Sequence, residues 1–370
     1  MQVAESPYLH GFFNGLRPDP RLTVSEWSDQ KRMLPAKAAK EAGRWRTKRT
    51  PYLKEIMDAL SPSSSVEKCI FMKGAQIGGT ECGNNWLGYV IDHVPAPMMY
   101  VLPTLDLAKR TSKQRIAPMI EEMPSLREKV RDPRSRDSGN TTLTKEFPNG
   151  VLVFTGSNSG AGLRSMPARF LFMDEIDAYE DDVDDEGSPI NLAIKRTATF
   201  SRNRKIFLVS TPKIAGSSKI EAAYEESDKR RYHVPCLGCN YFQTITWQHI
   251  KFDNSDPSTA RFECRKCNHR HYEKDKPKLL AKGKWIAEFP EKSHKVAGFH
   301  LSALYSPNGW YSWENAVEDF LSAKKNPVEL KDWTNTVLGE TWQEKGETVE
   351  HILLYQRNRP FKDVFQSLKS

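Results

Sequence analysis

Apolar residues in this chain fall into short, nearly unbroken runs that alternate with stretches whose apolar positions recur at helical spacing. Val66 to Met72, Pro97 to Pro103, Phe170 to Met173 and Lys205 to Ser210 have the β-branched and aromatic content of strands buried on both faces. Between them, the residues after Thr80 to Asp92 and from Leu105 to about Met123 read as helices. Strand alternating with helix predicts an α/β fold, a doubly wound and mainly parallel sheet. Thr141 to Phe154 adds a hairpin built on Asn149-Gly150, and Lys54 to Leu60 a short amphipathic helix stopped by Ser61-Pro62. Residues 1 to about 50 are polar and rich in Arg, Lys and Pro. Their short helical patterns, VSEWSDQKRML and PAKAAKEAGRW, suggest a capping or partner-binding segment, not an independent fold.

Length and composition narrow the class. A chain of 370 residues favours two domains over one, and 38% apolar with 28% charged residues describes an ordinary soluble protein. No apolar run approaches the roughly 20 residues that cross a bilayer. The N-terminal MQVAESPYLHGFF lacks the basic-then-apolar order of a secretory signal, which points to the cytosol and to reduced thiols. A formal charge of +8 suits a polyanionic partner without demonstrating one.

The candidate chemistry begins at SVEKCIFMKGAQIGGT, where the strand from Val66 meets the loop Lys73-Gly74-Ala75-Gln76-Ile77-Gly78-Gly79-Thr80 and then a helix. Glycines let backbone N–H groups close around an anion, and the helix N-terminus adds free donors, so Gly74, Gln76, Gly78 and Gly79 are candidate phosphate-loop positions. Thr80 is placed to hold Mg²⁺ through its hydroxyl, but Gly79 stands where such loops carry lysine. Either the loop is degenerate or Lys73, at its start, folds back over the phosphates. Upstream, Trp45, Arg49 and Tyr52 offer rings and a cation beside the loop. One ring, with Tyr52 the candidate, stacks on a nucleobase or packs on the sheet edge.

FLFMDE, from Phe170 to Glu175, delivers two acids to the end of a strand, where open α/β sheets bind ligands. In an ATPase, Asp174 would hold Mg²⁺ and Glu175 would polarise the attacking water. Most of the other carboxylates up to Glu186 read as a solvated acidic loop. Ser210-Thr211-Pro212 ends the next strand, with hydroxyls able to sense a γ-phosphate or simply to cap the strand. Arg164, on a glycine-flanked loop, is a candidate finger for transition-state charge, and Lys195, Arg196, Arg202, Arg204 and Lys205 form a basic run. Lys109, Arg110, Lys113 and Arg115 are spaced so that several fall on one helical face, either solvated or a track for a phosphate backbone.

Cys69 and Cys82 read as buried thiols. Cys236-Leu-Gly-Cys239 and Cys264-Arg-Lys-Cys267 are two equal knuckles, the pattern of a four-cysteine zinc ribbon. Four protein ligands leave no open position, so the Zn²⁺ would be structural.

Taken together, KGAQIGGT with its early lysine, FLFMDEIDAYEDDVDDEGSP, RKIFLVSTPK and CLGC with CRKC resemble the large terminase subunit of lambda-type tailed phages, an ATP-driven DNA-packaging motor. The resemblance runs from about Trp27 to Glu347. It implies that Lys73 and Thr80 bind phosphates and Mg²⁺, Asp174 holds the metal, Glu175 is the catalytic acid and Ser210-Thr211-Pro212 couples hydrolysis to DNA movement. It also implies that Arg164 reaches into an adjacent subunit. The partners it implies are double-stranded DNA, a small terminase subunit, the portal of the procapsid and further copies of the chain in a ring, in the host cytoplasm and away from membranes. Two departures stand out. Gly79 replaces the usual lysine, and Ala75 an arginine that some relatives carry.

The implied layout is an N-terminal segment over 1–50, a P-loop ATPase core over 51–230, a zinc-ribbon-like module over 231–290, and C-terminal strands and helices over 291–370. That last part is expected to lead toward a nuclease domain lying outside this chain, so ATPase activity without DNA cleavage is expected. The ribbon is expected to brace the core. The competing readings are a non-hydrolysing DNA-binding or assembly protein and a helicase-like translocase.

Overall fold

The computed structural model describes residues 21–37, 41–130 and 139–344. A small antiparallel pair, β1 (Met33–Leu34) and β2 (Gly43–Arg44), precedes the main body. In PAKAAKEAGRW the described residues form a turn at 36–37 and then β2, not the expected helix. Its apolar residues before Trp45 are alanines, which bury too little surface to hold an isolated helical turn. Residues 38–40 of that stretch lie outside the described residues.

The main sheet contains β3 (Lys68–Lys73), β4 (Met98–Leu102), β5 (Thr144–Phe147), β6 (Gly150–Gly156), β7 (Phe170–Asp174), β8 (Lys205–Ser210), β9 (Arg230–Pro235) and β10 (Phe242–Thr244). A separate three-stranded sheet holds β11 (Ile250–Lys251), β12 (Arg261–Glu263) and β13 (Arg270–His271), and β14 (Lys284–Ala287) and β15 (Val296–Leu301) return to the main one. Its order is β10-β9-β15-β3-β8-β7-β4-β6-β5, with β14 also on β9. Neighbours from β9 to β6 run parallel, while β5, β10 and β14 are antiparallel.

Both faces of the sheet are covered, which is why its strands are unbroken apolar runs. Cys69, Phe71, Tyr100, Phe172 and Phe207 face one layer, with the helix Gly79–Asp92. Ile70, Met72, Met99, Leu171, Met173 and Leu208 face the other, with the helices Pro189–Lys195 and Lys219–Glu225. The doubly wound, mainly parallel sheet is present. The N-terminal helix Val24–Lys31 caps the first layer: Trp27 is fully buried and its Nε1 donates to Asp92 Oδ2 at 2.7 Å. No helix among the described residues is long and apolar enough to cross a membrane.

Three sequence expectations shift. In the hairpin Phe147 pairs with Gly150, so the turn residues are Pro148 and Asn149, with Asn149 left-handed at φ 63°. Proline presets the first turn position and asparagine tolerates the second. The helix from Leu105 is interrupted: Leu105–Thr111 passes through a π-turn, Ser112–Ile116, into Ala117–Glu122. Pro118 has no N–H for the carbonyl four residues back and its ring crowds that carbonyl, so the turn widens. Finally, the boundary expected at 231 falls inside β9, because the cysteine-bearing β9–β10 hairpin is an extension of the main sheet.

The C-terminal segment forms the helices Trp313–Ala323 and Pro327–Trp333 and a π-turn, Thr334–Leu338. These do not lead away from the core as expected. Trp333 and Phe320 pack on Trp247 with ring centroids 4.7 and 4.9 Å away, which folds the helices back onto the body. The rest of the expected C-terminal linker, 345–370, lies outside the described residues.

Candidate active site

Because β3, β8 and β7 are adjacent and parallel, their C-terminal ends emerge on one edge. Met72 pairs with Ser210 and Val209 with Asp174, so Lys73, Thr211 and Glu175 leave the sheet side by side. Lys73 is nearly buried, and its Nζ lies 3.2 Å from Glu175 Oε1 and 3.3 Å from Thr211 Oγ1. The Lys73 side chain thus runs past the loop's end at Gly79 toward the acid strand.

Gly79 makes room for that lysine, since a Cβ at this position would meet Lys73 Cδ at 2.6 Å. Gln76 and Gly78 are left-handed, at φ 56° and 87°, and Gly78 caps the helix Gly79–Asp92. Left-handed residues at alternate positions, followed by a helix start, are the backbone condition for an anion nest. Gly74 is different. Its N–H donates to Leu301 O at 2.8 Å, Ala75 N–H donates to Thr336 O at 2.6 Å, and a Cβ at Gly74 would lie 2.6 Å from Ala303 N. The first glycine thus admits the C-terminal segment, and its N–H is not free for phosphate as the sequence suggested.

Asp174 is buried at the end of β7. Its Oδ2 accepts from Thr80 Oγ1 at 3.0 Å and from Tyr100 OH at 3.3 Å, while Oδ1 is buried without a hydrogen-bond partner. Burial, and then the neighbouring charge of Glu175, push its carboxyl up to about 6. An orphaned carboxylate oxygen beside a threonine hydroxyl, all hard donors, fits Mg²⁺. Glu175 adopts a left-handed backbone, φ 54°, uncommon for a glutamate. Such conformations cluster where a side chain must be aimed.

The remaining expected site residues separate. Thr211 faces Lys73, but Ser210 is fully buried: its Oγ accepts from Asp177 N–H at 3.2 Å and donates to Thr211 O at 3.0 Å. Asp177 belongs to the stretch read as a solvated loop, yet it is buried and accepts from the N–H groups of Lys213 at 2.9 Å and Ile220 at 2.7 Å. It therefore ties the acid strand to the exit at Pro212. Arg164 donates to Gly160 O at 3.2 Å and pairs with Glu186, directed at the acidic loop. Lys205 leaves the expected basic run, because it is buried with its ammonium on Ser64 O at 2.7 Å and on Val66 O.

Tyr52 does not present a face to a nucleobase. It is fully buried, its hydroxyl donates to Ile77 O at 3.2 Å, and it packs edge-on to Tyr232. Instead it supports the loop from beneath. A cavity of about 940 Å³ joins Lys73, Gln76 to Thr80, Glu175 and Thr211 to Arg49 and Trp310. Trp310 Nε1 donates to Glu41 Oε1 at 2.8 Å, and the Arg49 guanidinium lies 6.0 Å from the Trp310 ring centre. Trp310 was invisible as a site residue because it lies near the far end of the chain from the loop. A second cavity, about 380 Å³, opens on the other side of the acids and is lined by Tyr100, Arg110, Gln114, Arg115, Asp174 and Glu175. Of the four expected basic positions on this helix, Arg110 and Arg115 reach it.

The two cysteine knuckles meet. All four sulfurs of Cys236, Cys239, Cys264 and Cys267 lie within 4.8 Å of one another, with Cys236 to Cys267 at 3.7 Å and Cys239 to Cys264 at 3.8 Å. A tetrahedron with Zn–S bonds of about 2.3 Å has edges of about 3.8 Å, so the set fits Zn²⁺. His271 links the knuckles, with Nε2 accepting from Leu237 N–H at 3.1 Å and Nδ1 against Phe262 O at 3.1 Å.

Residues 39–285 match the family described as phage terminase large subunit gpA, ATPase domain. Residues 296–366 match terminase large subunit gpA, endonuclease domain. This overturns the expectation of a chain without any nuclease portion. It went unseen because the first part of that match, β15, reads as one more buried strand and lies in the main sheet beside β3. The large terminase subunit of Enterobacteria phage P21 is 29% identical over 376 residues, covering 94% of this chain and 57% of that protein. That of Escherichia phage lambda is 29% identical over 369 residues, covering 93% and 56%. The chain thus spans little more than half the length of these curated relatives. The crystal structure of the HK97 bacteriophage large terminase covers 86% of this chain and 56% of its own at 13% identity with a TM-score of 0.52, a likeness of fold. With the ATPase-domain match extending from the β1–β2 loop to β14, the chain belongs to the phage terminase large subunit gpA family.

Proposed function

We propose that this chain binds and hydrolyses ATP at the edge formed by Lys73, Thr80, Asp174, Glu175 and Thr211, and that hydrolysis drives double-stranded DNA into a procapsid. The observation that carries the reading is the pairing of Lys73 Nζ with Glu175 Oε1 at 3.2 Å, which puts a loop cation and a strand-end acid at one point. Lys73 and the N–H groups from Gln76 to Thr80 would take the phosphates. Asp174 and Thr80 would hold Mg²⁺, whose contribution when bound is to neutralise charge on the phosphate oxygens. Glu175 would orient and deprotonate the attacking water, and Thr211 would meet the γ-phosphate. Trp310 and Arg49 would seat the base.

Movement would leave the site through Ser210-Thr211-Pro212, which Asp177 ties to the acid strand. Arg164, directed at the acidic loop, would serve the site of a neighbouring copy in a ring on the portal, with a small terminase subunit presenting the DNA. Zn²⁺ held by the four cysteines would brace the β9–β10 extension. ATP turnover measured for the wild type, Lys73→Ala and Glu175→Ala tests the reading. Turnover in the wild type and a loss of about 100-fold or more in both variants is expected. A flat baseline in all three overturns it in favour of a DNA-binding or assembly role.

A further inference from the structure

Arg115 stands on the seam between the two cavities. It lines the large one together with Lys73, Glu175 and Thr211, and the smaller one together with Asp174, Glu175 and Arg110. The π-turn Ser112–Ile116 sets it there, and single π-turns inside helices are frequent at functional sites. Its ionic contact with Glu81 is loose: Nη1 lies 3.9 Å from Glu81 Oε1, and half of the side chain is exposed. Glu81 is already engaged, accepting from Arg32 Nη2 at 2.9 Å and from Asn84 Nδ2 at 3.0 Å. An exposed pair at such a distance contributes little, so Arg115 is free to turn to a stronger anion. Arg164 lines neither cavity and is bound to Gly160 and Glu186. Ala75 leaves the loop itself without an arginine.

We infer that Arg115 is a catalytic arginine acting within its own subunit, its guanidinium pairing with the oxygens of the γ-phosphoryl group during transfer. The inference rests on the ATPase reading above. In the reaction a water oxygen bonds to the γ phosphorus as the bond to the β–γ bridging oxygen breaks. The water's proton passes to Glu175, and ADP leaves with the bond's electron pair. Arg115 stays protonated throughout and offers planar, paired donors to the charge spread over the transferring oxygens. Lysine, a point charge, would not reproduce that fork.

The test compares wild type, Arg115→Ala and Arg115→Lys in steady-state ATP hydrolysis and in binding of ADP with and without aluminium fluoride. A fall in kcat of about 100-fold or more for Arg115→Ala, with KM for ATP within about threefold, is expected. Arg115→Lys should recover only a minor part. The gain in ADP affinity that aluminium fluoride gives the wild type should be lost in both variants, while affinity for ADP alone is kept, a split that a structural role would not produce. A kcat within about threefold of wild type overturns the inference. So does recovered turnover when Arg115→Ala is mixed with Glu175→Gln, because that would mean Arg115 serves a neighbour. A wild type that neither binds nor hydrolyses ATP overturns the ATPase reading itself, and the two failures are thereby distinct.

Discussion

The stem of Lys73 occupies the space that a side chain on Gly79 would need, with Cδ 2.6 Å from the Cβ such a residue would carry. The glycine and the displaced lysine are therefore one device: the cation arrives from the strand, and the position that usually supplies it is emptied to let it pass. Gly79→Ala should push aside a flexible stem, costing little stability but misplacing the ammonium. We expect at least a tenfold loss of kcat, about 1.4 kcal/mol in the barrier. Lys73→Ala combined with Gly79→Lys should be more active than either single variant, because the steric conflict disappears as the cation is restored. Steady-state ATPase assays of the four proteins check this, and additive losses would refute the shared-space account.

Asp174 carries a cost in the ligand-free protein. Its carboxyl is pushed up from 3.8 to about 6, chiefly by burial and next by Glu175. An acid raised on folding makes the folded state bind the proton more readily, so stability declines as pH rises from 3.8 to about 6 and stays reduced above it. Asp174→Asn should therefore raise stability at pH 7 to 8 by about 1 to 3 kcal/mol while abolishing Mg²⁺-dependent turnover. Thermal unfolding followed across pH checks the sign: the advantage of the variant should shrink as the pH is lowered through that window.

The four-cysteine cluster, with Zn²⁺ as its proposed occupant, makes a prediction about where its energy goes. Cys264→Ser, or removal of metal by a strong chelator, should lower the unfolding temperature by about 5 °C or more, since the four sulfurs clamp an extension of the main sheet. DNA affinity should change less. Metal content by atomic absorption, melting temperature and DNA binding at fixed salt separate the outcomes, and unchanged melting with lost DNA binding would move the ribbon from bracing to contact.

The proposed base seat at Trp310 is testable by a split between two aromatic residues. Trp310→Ala should raise KM for ATP by about tenfold with kcat little altered, because the group binds ground and transition state alike. Tyr52→Phe, which removes one hydrogen bond to Ile77 O, should leave KM within about twofold. Nucleotide-dependent quenching of tryptophan fluorescence, present in the wild type and lost in Trp310→Ala, gives an independent readout.

What the linear sequence determined is what local periodicity and spacing encode. Runs such as KCIFMK and FLFMD become doubly buried strands because each alternate side chain has a layer to fill. The glycine loop, the acid pair and the two knuckles stand out in the sequence because each lies within a few residues. Tertiary structure decided everything that joins residues far apart in the chain. It placed Lys73 against Glu175, buried Tyr52 while bringing Trp310 to the cavity, assigned the N–H of Gly74 to Leu301, and seated β15 in the sheet although its residues match the nuclease family. It also set Arg115 on the lining of both cavities, in a turn that Pro118 widens. The reason is physical. A hydrophobic pattern records which face of an element is buried, but not which distant element covers it, so competition for one buried space or one backbone donor is settled only when the chain is packed.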